Sequence, residues 1–392
     1  MNPRIDQLHR YPFERLRDLL ADITPADLPP ISLGVGEPRH PAPKVFLEAL
    51  TGALEDFARY PSTAGSPFLR EASAAWLTRR FQLPGIDAER QVIPCAGTRE
   101  ALFSIAQAVV GRKANPVVLM PNPFYQIYEG AALWAGATPY LVPATEASGF
   151  LPDYAAVPPE VLARTELLYV CSPGNPTGRV APADYLERLI ALADAYDFVL
   201  ASDECYAEIY PDEAHPPLGL LQVAAALGRA DYRRCLVFHS LSKRSNLPGA
   251  RCGFVAGDAD VIAAYLRLRT YTGCAVPPPI QQAAVAAWND ETHVRANRDA
   301  YRAKFRAVTG ILGPHLPITQ PDAGFYLWLT VPGGGEAFSR MLFERCNITA
   351  LPGAYLSRTV DGVCPGRDFV RVALVDQLPR CIEAAERIRG VL

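Results

Sequence analysis

Between residues 91 and 256 the chain alternates short apolar runs with stretches of helical periodicity. Gln91-Val92-Ile93-Pro94-Cys95 precedes a helix-like 98–110, and Val117-Val118-Leu119-Met120 precedes another helix from about residue 124. Tyr140-Leu141-Val142, Leu167-Leu168-Tyr169-Val170-Cys171, Phe198-Val199-Leu200-Ala201-Ser202 and Leu236-Val237-Phe238 continue the series. Near-continuous β-rich runs separated by helices predict an α/β unit whose mainly parallel sheet is covered on both faces. Ligands of such sheets collect beyond the carboxyl ends of the strands. Polar residues cluster there: after Cys95, after Met120, after Cys171, at Asp203, and from Ser240 to Lys243.

From about residue 285 the pattern changes. A long helical stretch over 282–312 precedes strand-like Gly324-Phe325-Tyr326-Leu327-Trp328-Leu329 and Phe369-Val370-Arg371-Val372-Ala373-Leu374, and the chain ends on a helix. This reads as a smaller α+β unit that residues 1–45 join, giving a large domain over 46–284 and a small one over 1–45 and 285–392. The Pro-rich Val276-Pro277-Pro278-Pro279 marks the transition.

Composition narrows the class. Half of the 392 residues are apolar and a fifth are charged, and the net charge of −3 gives no electrostatic basis for nucleic acid or membrane surfaces. No apolar run reaches spanning length, and no basic-then-apolar leader opens the chain, so a cytoplasmic protein is expected. Nine singly scattered cysteines read as reduced core thiols, and six histidines without ligand spacing predict no metal.

Chemistry enters with the four lysines. Lys44, Lys113 and Lys304 read as solvated. Lys243 alone follows a strand-like run and enters a turn, Ser240-Leu241-Ser242-Lys243, where a desolvated amine becomes nucleophilic and can join a carbonyl cofactor. Four other strand ends fit the same ligand, a phosphorylated aromatic aldehyde. Ala96-Gly97-Thr98-Arg99 is a small-residue turn before a helix, suited to a phosphate, although Thr98 could equally be a plain N-cap. Pro121-Asn122-Pro123-Phe124-Tyr125 offers a ring-stacking aromatic or simple packing. Ser172-Pro173-Gly174-Asn175-Pro176 presents the Asn175 amide, or is only a turn. Asp203 in Asp203-Glu204-Cys205-Tyr206 could pair with a protonated ring nitrogen or cap the next turn. Arg251 adds a fixed charge, read as a buried partner for the phosphate because the apolar Cys252-Gly253-Phe254-Val255 follows it.

The order of these motifs, from Gly34-Val35-Gly36-Glu37-Pro38 to Phe369-Val370-Arg371-Val372, resembles the class I (fold-type I) aminotransferases that depend on pyridoxal 5′-phosphate. The resemblance implies a seven-stranded, mainly parallel sheet in the large domain. It implies that Lys243 binds the cofactor covalently and moves the proton between Cα and C4′. Asp203 would keep the pyridine nitrogen protonated, Tyr206 and Asn175 would bond the 3′ oxygen, and Tyr125 would stack on the ring. Gly97, Thr98, Arg99, Ser240, Ser242 and Arg251 would hold the phosphate, with Tyr60 arriving from the other subunit of a homodimer. Arg371 and the Gly36 backbone N–H, with Asn175, would take the substrate α-carboxylate.

Ser240-Leu241-Ser242-Lys243 also matches a serine-nucleophile motif, but no lysine is followed by the Thr/Ser-Gly pair which that chemistry needs. Gly34-Val35-Gly36 lacks the third glycine of a dinucleotide fingerprint. A cofactor-binding sensor would need an appended DNA-binding unit, for which the pattern leaves no room. Within the family, Ile31 to Pro41, Ala58 to Gly65 and Pro121 to Gly130 look most like bacterial succinyldiaminopimelate transaminases. Aspartate, alanine, aromatic and LL-diaminopimelate aminotransferases and C–S lyases are the alternatives. Arg39, Arg179 and Arg269 are the candidate cations for a distal substrate carboxylate.

Overall fold

The computed structural model describes residues 3–392. Helix Pro12–Leu20 and the short strand β1 (Ile31–Ser32) lead into helices Lys44–Gly52 and Pro67–Phe81. Then come β2 (Val92–Cys95), β3 (Val117–Asn122), β4 (Thr138–Pro143), β5 (Thr165–Cys171), β6 (Val199–Asp203), β7 (Cys235–Ser240) and β8 (Gly253–Gly257). They form one sheet in the order β2-β8-β7-β6-β5-β3-β4. Every pairing is parallel except those of β8, which runs against both neighbours.

The apolar runs become strands because successive residues serve two cores. Val117, Leu119, Leu168, Val170, Leu200 and Val237 face one layer of helices. Val118, Met120, Leu167, Tyr169, Ala201, Leu236 and Phe238 face the other. A strand buried on both sides needs no polar alternation, which is why these segments read as unbroken hydrophobic runs. The edge strand β4 carries Pro139 and Pro143, which cannot donate to a ladder. The helices between the strands have explicit stops and starts. Ser66 caps Pro67–Phe81 by accepting from the Leu69 N–H, and the left-handed Gly136 ends Gln126–Ala135.

Beyond β8 and helix Ala259–Thr272, the expected long helix over 282–312 is instead two, Pro278–Asn289 and Thr292–Leu312. Asp290 takes an extended backbone, and its carboxylate accepts the His293 N–H at 3.0 Å, capping the second helix. The strands β9 (Tyr326–Thr330), β10 (Ile348–Thr349), β11 (Leu351–Pro352) and β12 (Phe369–Ala373) complete the sheets. β9, β11 and β12 form an antiparallel sheet in the order β11-β12-β9, and β1 pairs in parallel with β10. Helices Thr292–Leu312, Gly335–Cys346 and Leu378–Arg389 close its core over Leu327, Leu329, Val370 and Val372. The pairing of Ile31 with Ile348 ties the N-terminal segment to this unit. Among the described residues no helix is long and apolar enough to cross a membrane.

Two lysines read as solvated are not. Lys304 is 1% exposed, with Nζ on the Leu374 carbonyl at 3.1 Å. Its helix buries Asn297, Tyr301, Lys304, Val308 and Leu312, one stripe at three- and four-residue spacing, and Lys304 falls on it. Lys113 is half-buried, with Nζ bonded to the Thr165 and Tyr196 carbonyls at 2.6 Å each.

Candidate active site

The carboxyl ends of β2, β3, β5, β6 and β7 open into a cavity of about 550 Å³, closed on one side by Gly36, Tyr326 and Arg371 of the smaller unit. Lys243 stands at its base. Ser240 ends β7 and caps the single helical turn Leu241–Arg244, its Oγ accepting the Ser242 N–H at 3.1 Å and donating to the Ser242 hydroxyl at 2.9 Å. That turn projects Lys243 Nζ to 2.5 Å from the Gly36 carbonyl and 5.3 Å above the Phe325 ring. Desolvation is the main reason that its amine is lowered to about 8, with the Arg371 and Arg99 charges adding to it.

Asp203 ends β6, in register with Cys171 of β5 and Phe238 of β7, and is 4% exposed. One oxygen accepts the Tyr128 hydroxyl at 2.8 Å and the other accepts the Cys205 N–H at 3.3 Å. Both donors are neutral. Burial raises the carboxyl above its usual range, as expected of an acid with no cation against it. Tyr128 was not singled out from sequence. It lies three residues beyond Tyr125 at the start of the same helix, and that spacing is the signal that could have found it. Its ring stacks on Tyr169 with centroids 4.5 Å apart and meets Tyr125 edge-on at 5.8 Å.

Gly97 caps helix Thr98–Val109 with φ +83°, and a Cβ there would lie 2.1 Å from Arg251 Nη2. Thr98 is therefore inside the helix rather than its cap, and its hydroxyl meets Cys205 Sγ at 2.9 Å. Arg251 is exposed at the rim, not buried as its apolar neighbours suggested. Its own left-handed backbone (φ +49°) turns the side chain outward, onto the Ala96 and Pro248 carbonyls at 3.1 and 2.9 Å.

Arg371, on β12, donates to Asn175 Oδ1 at 2.9 Å and to the Gly34 carbonyl at 2.7 Å, 4.3 Å from the Tyr326 ring centroid. Its Nε is buried with no partner. Tyr206 and Tyr326, a residue missed from sequence, share a hydroxyl–hydroxyl contact of 3.0 Å. A Cβ on Gly36 would fall 1.9 Å from the Tyr326 oxygen, so glycine is required there. Tyr60 is fully exposed and does not line the cavity.

None of the three arginines expected to read a distal carboxylate lines this cavity. Arg39 pairs with Asp376 at 2.7 Å and Arg179 with Asp322 at 3.1 Å. Arg269 is fully buried against Glu100 at 2.5 Å. Arg99 does line it, with Nε on the Tyr125 hydroxyl at 2.7 Å and Nη2 3.4 Å from the Tyr11 hydroxyl. Three arginines thus face one cavity (Arg99, Arg251 and Arg371), and among the described residues none forms an ion pair with a carboxylate.

Residues 29–386 match the family model of aminotransferases of class I and II. The chain is a class I and II aminotransferase. It is 35% identical over 395 residues to an LL-diaminopimelate aminotransferase of Desulforudis audaxviator (strain MP104C), covering 99% of this chain and 97% of that one. An aminotransferase structure from Neisseria meningitidis Z2491 matches with a TM-score of 0.96 and 46% identity, over 100% of this chain and 99% of that one. A structure described as a probable N-succinyldiaminopimelate aminotransferase of Thermus thermophilus matches at 0.85 and 28%, over 97% and 100%. The family is enzymatic, uses pyridoxal 5′-phosphate, and exchanges amino groups between amino acids and 2-oxo acids.

The cavity of this aminotransferase fits that cofactor on its own evidence. Asp203 is a buried carboxylate that lacks a cation, and a protonated pyridine nitrogen is one. Gly97 lets the Arg251 guanidinium lie against the N-terminus of helix Thr98–Val109, where any side chain would collide with it, and so sets a fixed charge beside free helix N–H groups. Lys243 supplies the desolvated amine.

Proposed function

We propose that this aminotransferase acts on an amino acid of the diaminopimelate class, N-succinyl-LL-2,6-diaminopimelate, with 2-oxoglutarate as amino acceptor. The observation that carries the reading is the trio of arginines without carboxylate partners. Arg251 beside Gly97 suits the cofactor phosphate, with Thr98, Ser240 and Ser242 as hydroxyl donors. Arg371, preset by Asn175 and Gly34 and with Nε still free, suits a forked grip on the substrate α-carboxylate. Arg99 is left over, and it suits the distal carboxylate that N-succinyldiaminopimelate and 2-oxoglutarate both carry. Its side chain is already oriented by Tyr125 and by Tyr11 of the N-terminal segment.

When bound, the cofactor supplies a carbonyl for the amino group and a ring that accepts the electrons of the Cα–H bond. The chain supplies the rest. Lys243 would take the Cα proton and deliver it to C4′, on the far side of the intervening nitrogen. Asp203 would hold the ring nitrogen protonated, with Tyr128 fixing the carboxylate. Tyr206 and Asn175 would hold the 3′ oxygen, and Tyr125 would cover the ring face.

Unmodified LL-diaminopimelate is the second reading, favoured by the names of the relatives and by Glu37 at the same cavity, an acid that could meet a distal ammonium. The two separate in one experiment. The protein is loaded with pyridoxal phosphate and its absorption followed on adding N-succinyl-LL-diaminopimelate, LL-diaminopimelate, glutamate or alanine. Conversion to the pyridoxamine form by the succinylated donor and glutamate, with LL-diaminopimelate and alanine inert, is the expected result. Conversion by LL-diaminopimelate alone among the two long donors would overturn the succinyl assignment. Arg99→Gln should raise KM for 2-oxoglutarate by roughly ten- to a hundredfold, the worth of one charge-assisted pair, while leaving pyruvate nearly unaffected. Equal losses with both acceptors would remove Arg99 from this role.

A homodimer belongs to the same proposal. Leu47, Leu54, Phe57, Tyr60, Phe68 and Tyr271 are all strongly exposed, an unusual amount of aromatic and aliphatic surface. A second copy would cover it and would bring Tyr60 to the phosphate of its partner. Sedimentation of the loaded protein at micromolar concentration should give the dimer mass, and Tyr60→Phe should weaken cofactor retention. A monomer that holds the cofactor fully would refute both.

A further inference from the structure

Arg371 and Tyr326 reach the cavity from one face of the smaller sheet. In the antiparallel pairing of β12 with β9, Tyr326 lies opposite Ala373, two residues along from Arg371. Residues two apart on a strand share a face, and such diagonal neighbours are within reach of an aromatic side chain. The Arg371 guanidinium accordingly lies 4.3 Å from the Tyr326 ring centroid. The same ring meets those of Phe325 and Tyr206, with centroids 4.7 and 5.6 Å away.

These neighbours aim one atom. The Tyr326 oxygen meets the Tyr206 hydroxyl at 3.0 Å, and it lies so near the Gly36 backbone that a Cβ there would fall 1.9 Å from it. Both tyrosines are buried. Buried hydroxyls find hydrogen-bond partners in native proteins, and among the described residues each of these finds the other.

The direction of that bond follows from what else Tyr206 does. Its place in the cavity suits donation to the 3′ oxygen of the cofactor, and a hydroxyl has one proton to give. With that proton committed, the Tyr206 oxygen can only accept, and Tyr326 is the donor. Burial, above all, holds the Tyr206 phenol far above its ordinary range, so it keeps its proton at working pH. A hydroxyl that accepts one hydrogen bond is polarised into a stronger donor of the next.

Taking Tyr206 as the donor to the 3′ oxygen, the role proposed for it, we propose that Tyr326 is a positioning residue for the cofactor. Its hydroxyl donates to the Tyr206 oxygen, and so directs and strengthens the bond from Tyr206 to the 3′ oxygen. The strand pair that presents Arg371 is in this way linked to the ring of the cofactor.

The test is an absorbance titration of the loaded enzyme, which reads the Lys243–cofactor chromophore without turnover. A donor on the 3′ oxygen stabilises it as an anion, the form left when the nitrogen between Lys243 and the cofactor loses its proton. Weakening that donor therefore moves the colour change to higher pH. The charged groups that act on Tyr206 are Arg371 and Asp203, and both stay in place in the variants. Tyr206→Phe should raise the midpoint by about one pH unit or more, the worth of a charge-assisted hydrogen bond, and Tyr326→Phe by about half as much. The double variant should match Tyr206→Phe alone, because Tyr326 acts through Tyr206. A midpoint unchanged in Tyr326→Phe, or a further shift in the double variant, would overturn the proposal and leave Tyr206 in its role. A midpoint unchanged in Tyr206→Phe would remove both.

Discussion

Lys243→Ala is expected to lower turnover by roughly four orders of magnitude or more, because it removes the proton carrier and the covalent anchor together. Its cofactor should remain bound without a covalent link, held by the Gly97 turn, Asp203 and Arg251. The amine is suited to this work by its surroundings. With an amine lowered to about 8, roughly one molecule in ten carries a neutral Lys243 at pH 7, against roughly one in three thousand for an ordinary lysine. The sign follows directly. Burial disfavours the ammonium, so the nucleophilic form appears as the pH rises through 8 instead of through the usual lysine range. Covalent capture of pyridoxal phosphate by the cofactor-free protein should therefore accelerate with pH and level off above about 8, followed by stopped-flow absorbance. Residual turnover in Lys243→Ala within tenfold of the unmodified enzyme would end the assignment.

Asp203→Asn should cost roughly two to three orders of magnitude in kcat, equivalent to ~3–4 kcal/mol of transition-state stabilisation. The asparagine keeps the shape of the site and can still accept from Tyr128, but it has no charge with which to hold a ring nitrogen protonated. The ring then becomes a poorer electron acceptor at the step where the Cα–H bond breaks. Tyr128→Phe should do much less, on the order of 1 kcal/mol, since it removes one neutral hydrogen bond to a carboxylate that stays in place. Measuring kcat and cofactor affinity for both variants distinguishes the roles. If Asp203→Asn retained kcat within threefold of the unmodified enzyme, the carboxylate would serve only the Cys205 turn.

The residues that gather around the cavity were mostly visible beforehand, and for one reason. In a parallel sheet the carboxyl ends of the strands lie together, so a polar residue just past each apolar run is placed near the others whatever the loops do. Asp203, Asn175, Gly97 and Lys243 could be brought together on that argument alone. The α/β class and the strand positions followed from the same runs, because residues that feed two helical layers leave no polar alternation to misread.

What the sequence could not decide was which charge meets which. Arg39, Arg179 and Arg269 looked available, and each is engaged by an acid that is distant in sequence: Asp376, Asp322 and Glu100. Arg99, expected among the phosphate contacts, rests on Tyr125 and Tyr11, tyrosines from separate segments. Lys304 looked solvated and is buried beneath its own helix. Tyr326, which meets Tyr206 and excludes any side chain at Gly36, comes from the other sheet. The run of apolar positions by itself determined the sheet, its two covered faces and the end at which chemistry collects, because burial acts locally through periodicity. The pairing of charges and the walls of the cavity were decided only by tertiary structure. They depend on which of many equivalent arginines, acids and tyrosines the packing brings within about 3 Å, and no local pattern records that distance.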